Sequence, residues 1–264
     1  MPVDLEELRD LAVAIAREAG DLVRVQRTVG VQVADTKSSA TDIVTAADRA
    51  SEALIRERVR EARPLDGILG EEGADDAGSS GVRWIVDPID GTVNYAHDLP
   101  NYAVSIGIEI DGTVKVGVVL NVAQDIVYSA VLGAGAVKNG RPIQVAAVVP
   151  VSRALVGTGF SYEREVRVSQ TATFARLLPQ IADIRRFGSC ALDLCSVADG
   201  SLDGYVEEGI GGPWDYAGGA LVAREAGART EVLTGAAGRI LVIAAPGDGY
   251  DEFRALVTGC GYLG

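Results

Sequence analysis

Trp84-Ile85-Val86-Asp87-Pro88-Ile89-Asp90-Gly91-Thr92-Val93-Asn94 sets an apolar run against two carboxylates, a glycine and a hydroxyl. The apolar residues read as a buried strand that delivers Asp87. Pro88 then turns the chain, and Asp90 follows with Gly91 and the Thr92 hydroxyl beside it. Two carboxylates and several backbone N–H groups converge in this way. Magnesium takes oxygen ligands and usually shares them with a substrate phosphate, which suits the arrangement. A short helix beginning at Gly91 would turn its free N–H groups toward the same phosphate. The plainer account is an Asp-Pro turn followed by an Asp helix cap. The apolar run before Asp87 and the Gly-Thr after Asp90 favour the functional one.

Upstream, Leu5, Leu8, Ala12, Ile15, Ala19 and Leu22 recur at steps of three and four, so a long amphipathic helix is expected from about Asp4 to Arg27. A second helix is expected from about Ala46 to Glu61, stopping before Pro64. Gly67-Ile68-Leu69-Gly70 and Arg83-Trp84-Ile85-Val86 read as two buried strands, each ending at a carboxylate and separated by the polar run Glu71 to Gly81.

Downstream, β-branched runs at 102–110, 113–120 and 125–132, with Asp111-Gly112 and Asn139-Gly140 turns, describe an antiparallel meander. After Pro150 the pattern alternates. Strands are expected near 153–158, 183–187, 203–207 and 240–244. Helices are expected near 163–180, 189–199, Trp214 to Ala226 and Tyr250 to Cys260. Ala191, Leu194, Cys195 and Ala198 would share one face of the second of these. No linker or repeat divides the chain, so a single domain of two lobes, 1–148 and 149–264, is expected, in a mixed α/β (α+β) class of layered sheets and helices.

With 264 residues, 48% of them apolar, the chain can build a sizeable core. Its formal charge of −13 argues against a nucleic-acid partner, since polyanions are captured by excess Lys and Arg. An anionic substrate would need a local positive charge, and a bound metal is the simplest source. No apolar run approaches the length of a membrane span, and the N-terminus has no signal-peptide pattern, so a soluble, cytoplasmic protein is expected. Cys190, Cys195 and Cys260 form neither a metal pattern nor an even disulfide set, which fits a reducing compartment.

Other acids add to the picture. Glu71 and Glu72 follow a strand directly, where open α/β sheets place ligands, although a Glu-Glu pair is usually solvated surface. Asp215, in Pro213-Trp214-Asp215, stands where a helix starts and could equally offset the helix dipole. Asp42-Ile43-Val44-Thr45-Ala46-Ala47-Asp48, with Lys37-Ser38-Ser39 upstream, puts acids around the start of the second helix. Capping by Thr45 is the plain account of it. The sharper one is a loop that supplies Asp48 to polarise water.

Taken together, Asp87-Pro88-Ile89-Asp90-Gly91-Thr92, Gly70-Glu71-Glu72 and Trp214-Asp215 resemble the inositol monophosphatase family of metal-dependent, lithium-sensitive phosphatases. The likeness extends through Lys37-Ser38-Ser39, Asp42 to Asp48, Ala103-Val104-Ser105-Ile106-Gly107 and Arg186-Phe187-Gly188-Ser189-Cys190-Ala191. It implies a five-layer αβαβα sandwich of the inositol monophosphatase and fructose-1,6-bisphosphatase type, usually homodimeric. Glu71, Asp87 and the Ile89 carbonyl would hold one magnesium ion, Asp87, Asp90 and Asp215 a second, and a weaker third would sit near Glu71. Thr92 and Asp48 would activate the attacking water, while Gly91, Thr92 and the Val93 N–H hold phosphate. Asp90, Gly188, Ser189, Cys190 and Glu207 would read the polyol. Three departures stand out. Val93 replaces a frequent Thr, and Cys190 replaces the usual Ala. The stretch before Trp214 is one residue longer than in some relatives, which leaves Glu207 and Glu208 competing for the substrate role.

A phosphate monoester dianion repels nucleophiles, so catalysis must consist mainly of charge neutralisation and alignment. Direct in-line attack by metal-activated water is the expected route. A histidine nucleophile is implausible because His97 is the only histidine. Neither Cys190 nor Cys195 begins a Cys-x5-Arg loop, and Asp87 and Asp90 are three positions apart, not the two usual for an aspartyl-phosphate enzyme. Inositol 1-phosphate is the expected substrate and histidinol phosphate the alternative. A non-catalytic interaction protein on the same fold is the reading from another class, and its mark would be loss of a metal carboxylate.

Overall fold

The computed structural model describes residues 3–31, 33–36 and 43–263. Lys37, Ser38, Ser39 and Asp42 lie outside the described residues. Helix α1 (Leu5–Val29) starts where the Asp4 carboxylate accepts the N–H groups of Glu6 and Glu7. It buries Leu8, Ala12, Ile15, Ala16, Ala19 and Val23 along one stripe. A short antiparallel ribbon, β1 (Val33–Thr36) with β2 (Ile43–Thr45), leads into α2 (Ala46–Ala62), which ends before Pro64.

Strands β3 (Gly67–Gly70) and β4 (Val82–Asp90) pair in parallel, and the short helix α3 (Thr92–His97) follows. An antiparallel meander completes the first sheet: β5 (Ala103–Ile110), β6 (Thr113–Asn121), β7 (Ile126–Val131), β8 (Gly135–Lys138) and β9 (Arg141–Pro142). Its order is β3-β4-β5-β6-β7-β8-β9. Both expected hairpin turns have positive φ at their two central residues, 53° and 72° at Asp111-Gly112 and 49° and 73° at Asn139-Gly140.

The second half contributes β10 (Leu155–Thr158), α4 (Arg164–Leu177), β11 (Asp183–Arg185), α5 (Cys190–Ala198), β12 (Gly204–Ile210), α6 (Pro213–Glu225), β13 (Ala228–Thr234), β14 (Ile240–Pro246) and α7 (Tyr250–Cys260). These strands form a mixed sheet of order β11-β10-β12-β14-β13.

Three cores make the layering explicit. Val104, Ile106 and Ile108 of β5 and Val116, Val118 and Leu120 of β6 face α1 and α2, while Ala103 and Val119 point the other way, toward α5 and α6. Tyr205, Val242 and Ala244 reach α5 and α6 from the second sheet. Val206, Leu241 and Ile243 alternate with them and face α4 and α7. The result is helices, sheet, helices, sheet, helices: a five-layer αβαβα sandwich.

The middle layer is unusually close to its neighbours. A Cβ on Gly117 of β6 would lie 2.5 Å from the Gly218 carbonyl of α6, and one on Gly219 would lie 2.9 Å from the Ala191 carbonyl of α5. Adjacent glycines thus let α6 press on the first sheet and on α5 at once. Helix α5 is buried around almost its whole circumference, including Leu192, Asp193 and Val197, so the single apolar face expected for it is too narrow a description.

Two further expectations are corrected. Strand β4 does not stop at Asp87: it continues through Pro88 to Asp90, with Asp87 opposite Ser105 and Asp90 opposite Ala103. One extra residue on β4 makes this a β-bulge, a place where proline is tolerated within a sheet. Strand β13 was not anticipated. It is an edge strand that carries charged Arg229 and Glu231 on the face toward α7, where Asp251 and Arg254 engage them, so it lacks a strong apolar alternation.

Candidate metal centre and active site

Each acid reaches the site from a different element. β3 runs into Glu71, whose N–H donates to the Val86 carbonyl at 3.2 Å and so carries it alongside Asp87. Asp87 is 1% exposed, and its Oδ1 accepts the Ile89 N–H at 3.0 Å across the bulge. Asp90 Oδ2 accepts the Ser189 hydroxyl at 2.6 Å and the Ala191 N–H at 2.7 Å, which anchors it at the N-terminus of α5. Asp215 lies in the first turn of α6 and accepts the N–H groups of Gly211 at 2.8 Å and Gly212 at 3.4 Å. Gly91, in the left-handed region at φ 92°, has no room for a Cβ, which would sit 2.8 Å from the Asn101 carbonyl.

These carboxylates interact. Asp87 shares hydrogen bonds with Glu71 and with Asp215. Burial, reinforced by the charges of Glu71, Asp90 and Asp215, raises the Asp87 carboxyl well above the usual carboxylate range. Asp90 is also raised well above it, by burial and then by Asp215, against the opposing bonds from Ser189 and Ala191. Asp215 is pushed up to about 6 by burial, with the Gly211 N–H and Asp87 acting in the other direction.

Behind them stands Asp48, fully buried, at the start of α2. Its Oδ2 accepts the Thr45 N–H at 2.8 Å, while the Thr45 hydroxyl in turn caps the Asp48 N–H. Asp48 Oδ1 lies 3.0 Å from Thr92 Oγ1, which is also 3.0 Å from the Ile89 carbonyl. One hydroxyl proton serves one of these acceptors at a time. Burial raises Asp48 to about 6, partly offset by its bonds from Thr45 and Thr92.

A cavity of about 440 Å³ opens over this cluster, in the usual range for small-molecule sites. Glu71, Asp87, Ile89, Asp90, Thr92 and Asp215 form part of its wall, and Gly91, Gly188, Cys190 and Glu207 another part. Glu207 accepts the Tyr205 hydroxyl at 2.8 Å and faces this space. Glu208, in contrast, is turned to the β13–β14 connection, where it accepts the Ala237 N–H at 2.7 Å. The alternation of a strand separates the two neighbours.

Asp48, Val93 and Ser189 are not part of the cavity wall. Ser189 is 1% exposed and spends its hydroxyl on Asp90. Arg186, Tyr162 and Arg239 line the cavity without having been singled out as site residues. Arg186 opens the Arg186-Phe187-Gly188-Ser189 motif. Arg239 follows a loop with no marker in its sequence, and an ion pair of 2.6 Å with Glu163 links it to the opposite wall.

The donor set fits hard divalent cations. It is made of oxygen, it includes a backbone carbonyl at Ile89, and among the described residues no Lys or Arg forms a salt bridge with Asp87, Asp90 or Asp215. The acids meet in pairs through Asp87; among the described residues they do not form a ready-made group of three at coordinating distances. The burial of Asp87 and Asp90, with Glu71 and Asp215 half-buried beside them, is the stronger observation, because buried neighbouring anions call for a positive charge.

Comparison with known proteins agrees with this geometry. Residues 4–254 match the model of the inositol monophosphatase family. Inositol-1-monophosphatase SuhB of Mycobacterium tuberculosis is 45% identical over 270 residues, covering 94% of this chain and 93% of the relative. The solved structure of Mycobacterium tuberculosis SuhB superposes with a TM-score of 0.84 at 41% identity, covering 99% of each chain. That of inositol monophosphatase from Anabaena gives 0.85 at 34% identity, again over 99% of each chain. Matched by the family model over nearly its whole length and by a relative at 45% identity, this chain belongs to the inositol monophosphatase family.

Proposed function

We propose that the chain hydrolyses a small polyol phosphate monoester, most directly inositol 1-phosphate, with magnesium as cofactor. The observation that carries this reading is the meeting of Glu71, Asp87, Asp90 and Asp215, far apart in sequence, at one cavity. Glu71, Asp87 and the Ile89 carbonyl would hold one cation, and Asp87, Asp90 and Asp215 a second, with a weaker third near Glu71. When bound, such ions neutralise phosphate and leaving-group charge and acidify water.

The chain's own groups supply the rest. When Thr92 directs its hydroxyl proton to Asp48, its lone pairs are free to accept from the attacking water, and ionised Asp48 is the final proton acceptor. Backbone N–H groups from Gly91 onward face the phosphate. Glu207, held by Tyr205, accepts from neighbouring substrate hydroxyls. Gly188 and Cys190 shape the wall. Histidinol phosphate is the alternative substrate, since Glu207 could pair with an amine.

Phosphate release from inositol 1-phosphate is expected to require magnesium, to be inhibited by lithium, and to fall more than about 100-fold in Asp90→Asn, beyond the worth of an outer contact. If wild type and Asp90→Asn behave alike, the assignment is wrong. A panel including histidinol phosphate ranks the substrates. Ser189→Ala, which leaves Asp90 Oδ2 only the Ala191 N–H, should lower kcat/KM by about 10- to 100-fold.

The pH profile tests Asp48. Its carboxyl, raised to about 6, must be charged to accept a proton, so kcat/KM should rise through that pH and level off above it. Asp215 is also raised to about 6, but a bound cation favours its ionised form. Excess magnesium should therefore remove the Asp215 contribution and leave the Asp48 limb. A profile that flattens completely at high magnesium would contradict the role of Asp48.

The two-lobe division at about residue 148 is supported by a first sheet drawn from residues 67–142 and a second from 155–246. A homodimer is part of the same proposal, and sedimentation would test it. No helix among the described residues is long and apolar enough to cross a membrane.

A further inference from the structure

Helix α2 presents three side chains to three separate pieces of the site. Asp48 meets Thr92, Ser51 Oγ donates to the Pro88 carbonyl in the bulge at 3.2 Å, and Glu52 accepts the Glu72 N–H at 2.7 Å. Spacings of three and four residues put them on one helix face. Glu52 is 3% exposed and is not part of the cavity wall, but it bonds the residue next to Glu71, which is.

Both of its oxygens are engaged. Oε2 takes the Glu72 N–H, Oε1 takes Arg56 Nε at 2.7 Å, and Arg56 Nη2 continues to the Ala74 carbonyl at 3.0 Å. The pair therefore spans the turn from Glu72 to Ala74. The backbone makes room for it on both sides: a Cβ on Gly70 would lie 2.4 Å from Glu52 Oε1, and one on Gly73 would lie 2.5 Å from the same atom. Exposed Glu–Arg pairs one helical turn apart contribute little. This one has side-chain exposures of only 4% and 12%, and removing one partner of such a buried pair leaves the other charge uncompensated.

We propose that Glu52, with Arg56, is a positioning pair that holds the turn at 70–74, and with it the Glu71 carboxylate, against Asp87. It sets the affinity for the cation without touching cation or substrate. This rests on the reading of Glu71 as a ligand.

Calorimetric titration of the full chain with magnesium alone provides the test, with circular dichroism melts as a check of folding. Glu52→Ala should raise the magnesium Kd by about 10- to 100-fold, the range for outer-shell partners of metal ligands. Phosphate release at saturating magnesium should fall far less. Glu52→Gln keeps an acceptor for the Glu72 N–H and should lie between the two. Gly70→Ala drives a methyl group into the carboxylate and should weaken binding in the wild-type background, but add little in the Glu52→Ala background, where the obstructing atoms are gone.

A folded Glu52→Ala that binds magnesium like wild type would overturn the positioning role and leave the catalytic reading intact. Wild type that takes up no magnesium would overturn the reading of Glu71 first, and the positioning role with it. If Glu52→Ala does not fold, Glu52→Gln and Gly70→Ala decide: unchanged Kd in both overturns the proposal.

Discussion

Asp87→Asn is expected to abolish phosphate release while making the magnesium-free protein more stable. Asp87 is almost completely buried, and its neighbours Glu71, Asp90 and Asp215 are all acidic. An amide of the same shape still accepts the Ile89 N–H through its oxygen, and its NH2 can donate to Glu71 or Asp215 at every pH, where the carboxyl does so only while protonated and repels them once ionised. The sign follows from proton linkage. A carboxyl raised in the folded state favours folding fully below its unfolded pKa near 3.9 and loses that contribution as pH rises through the raised folded value. The stability gained by Asn should therefore grow as pH rises and be small in acid. A gain of about 1–3 kcal/mol, the worth of a relieved buried conflict, corresponds to a few degrees in Tm for a chain of this size.

Activity should move the other way. Both proposed cation sites include Asp87, so kcat/KM should drop by at least about 100-fold. Melts in a chelator near pH 5 and near pH 8, with phosphate release measured in parallel, check both halves. Added magnesium should raise the Tm of wild type by mass action and leave Asp87→Asn nearly unmoved. A variant less stable than wild type at both pH values would mean that the acids do not repel one another as argued.

Gly117→Ala is expected to be a strongly damaging methyl addition at the centre of the first sheet. Its Cβ would lie 2.5 Å from the Gly218 carbonyl and 3.2 Å from Leu221 Cβ, with backbone, not a flexible side-chain end, as the obstacle. Either β6 bends or α6 backs away, at a cost of about 3 kcal/mol, the upper end for overpacking. Helix α6 carries Asp215 in its first turn, so the displacement reaches the site, where about 1 Å of misplacement can cost about 100-fold in rate. Gly112→Asn is the control. It has a positive φ of 72° and nothing within 4 Å of a Cβ, and Asn tolerates that conformation, so stability should change little. Urea unfolding of both variants, with phosphate release beside it, separates a packing effect from a turn effect. Equal stabilities would refute the close approach of α6.

Most elements were legible because their signals are local. The stripe of α1, the Thr45 cap of α2, the two turns with positive φ and the strand leading to Asp87 each depend on a few neighbouring residues. Where reading failed, the deciding contact was distant. Asp-Pro looks like the end of a strand, but pairing with Ser105 and Ala103 carries β4 through it. β13 looks like a polar segment, but its hydrogen bonds to β14 make it an edge strand.

The candidate site divides in the same way. From the sequence alone came the identities of the acids, the strand that delivers Asp87, the helix start at Asp215 and the family likeness, because residue type and short-range spacing encode all of these. Only the tertiary structure turned Glu207 to the cavity and Glu208 away, spent Ser189 on Asp90, and put Glu52 beneath the turn that bears Glu71. Those outcomes depend on which backbone N–H, carbonyl or glycine from a remote element lies within about 3 Å, and chain folding creates that proximity.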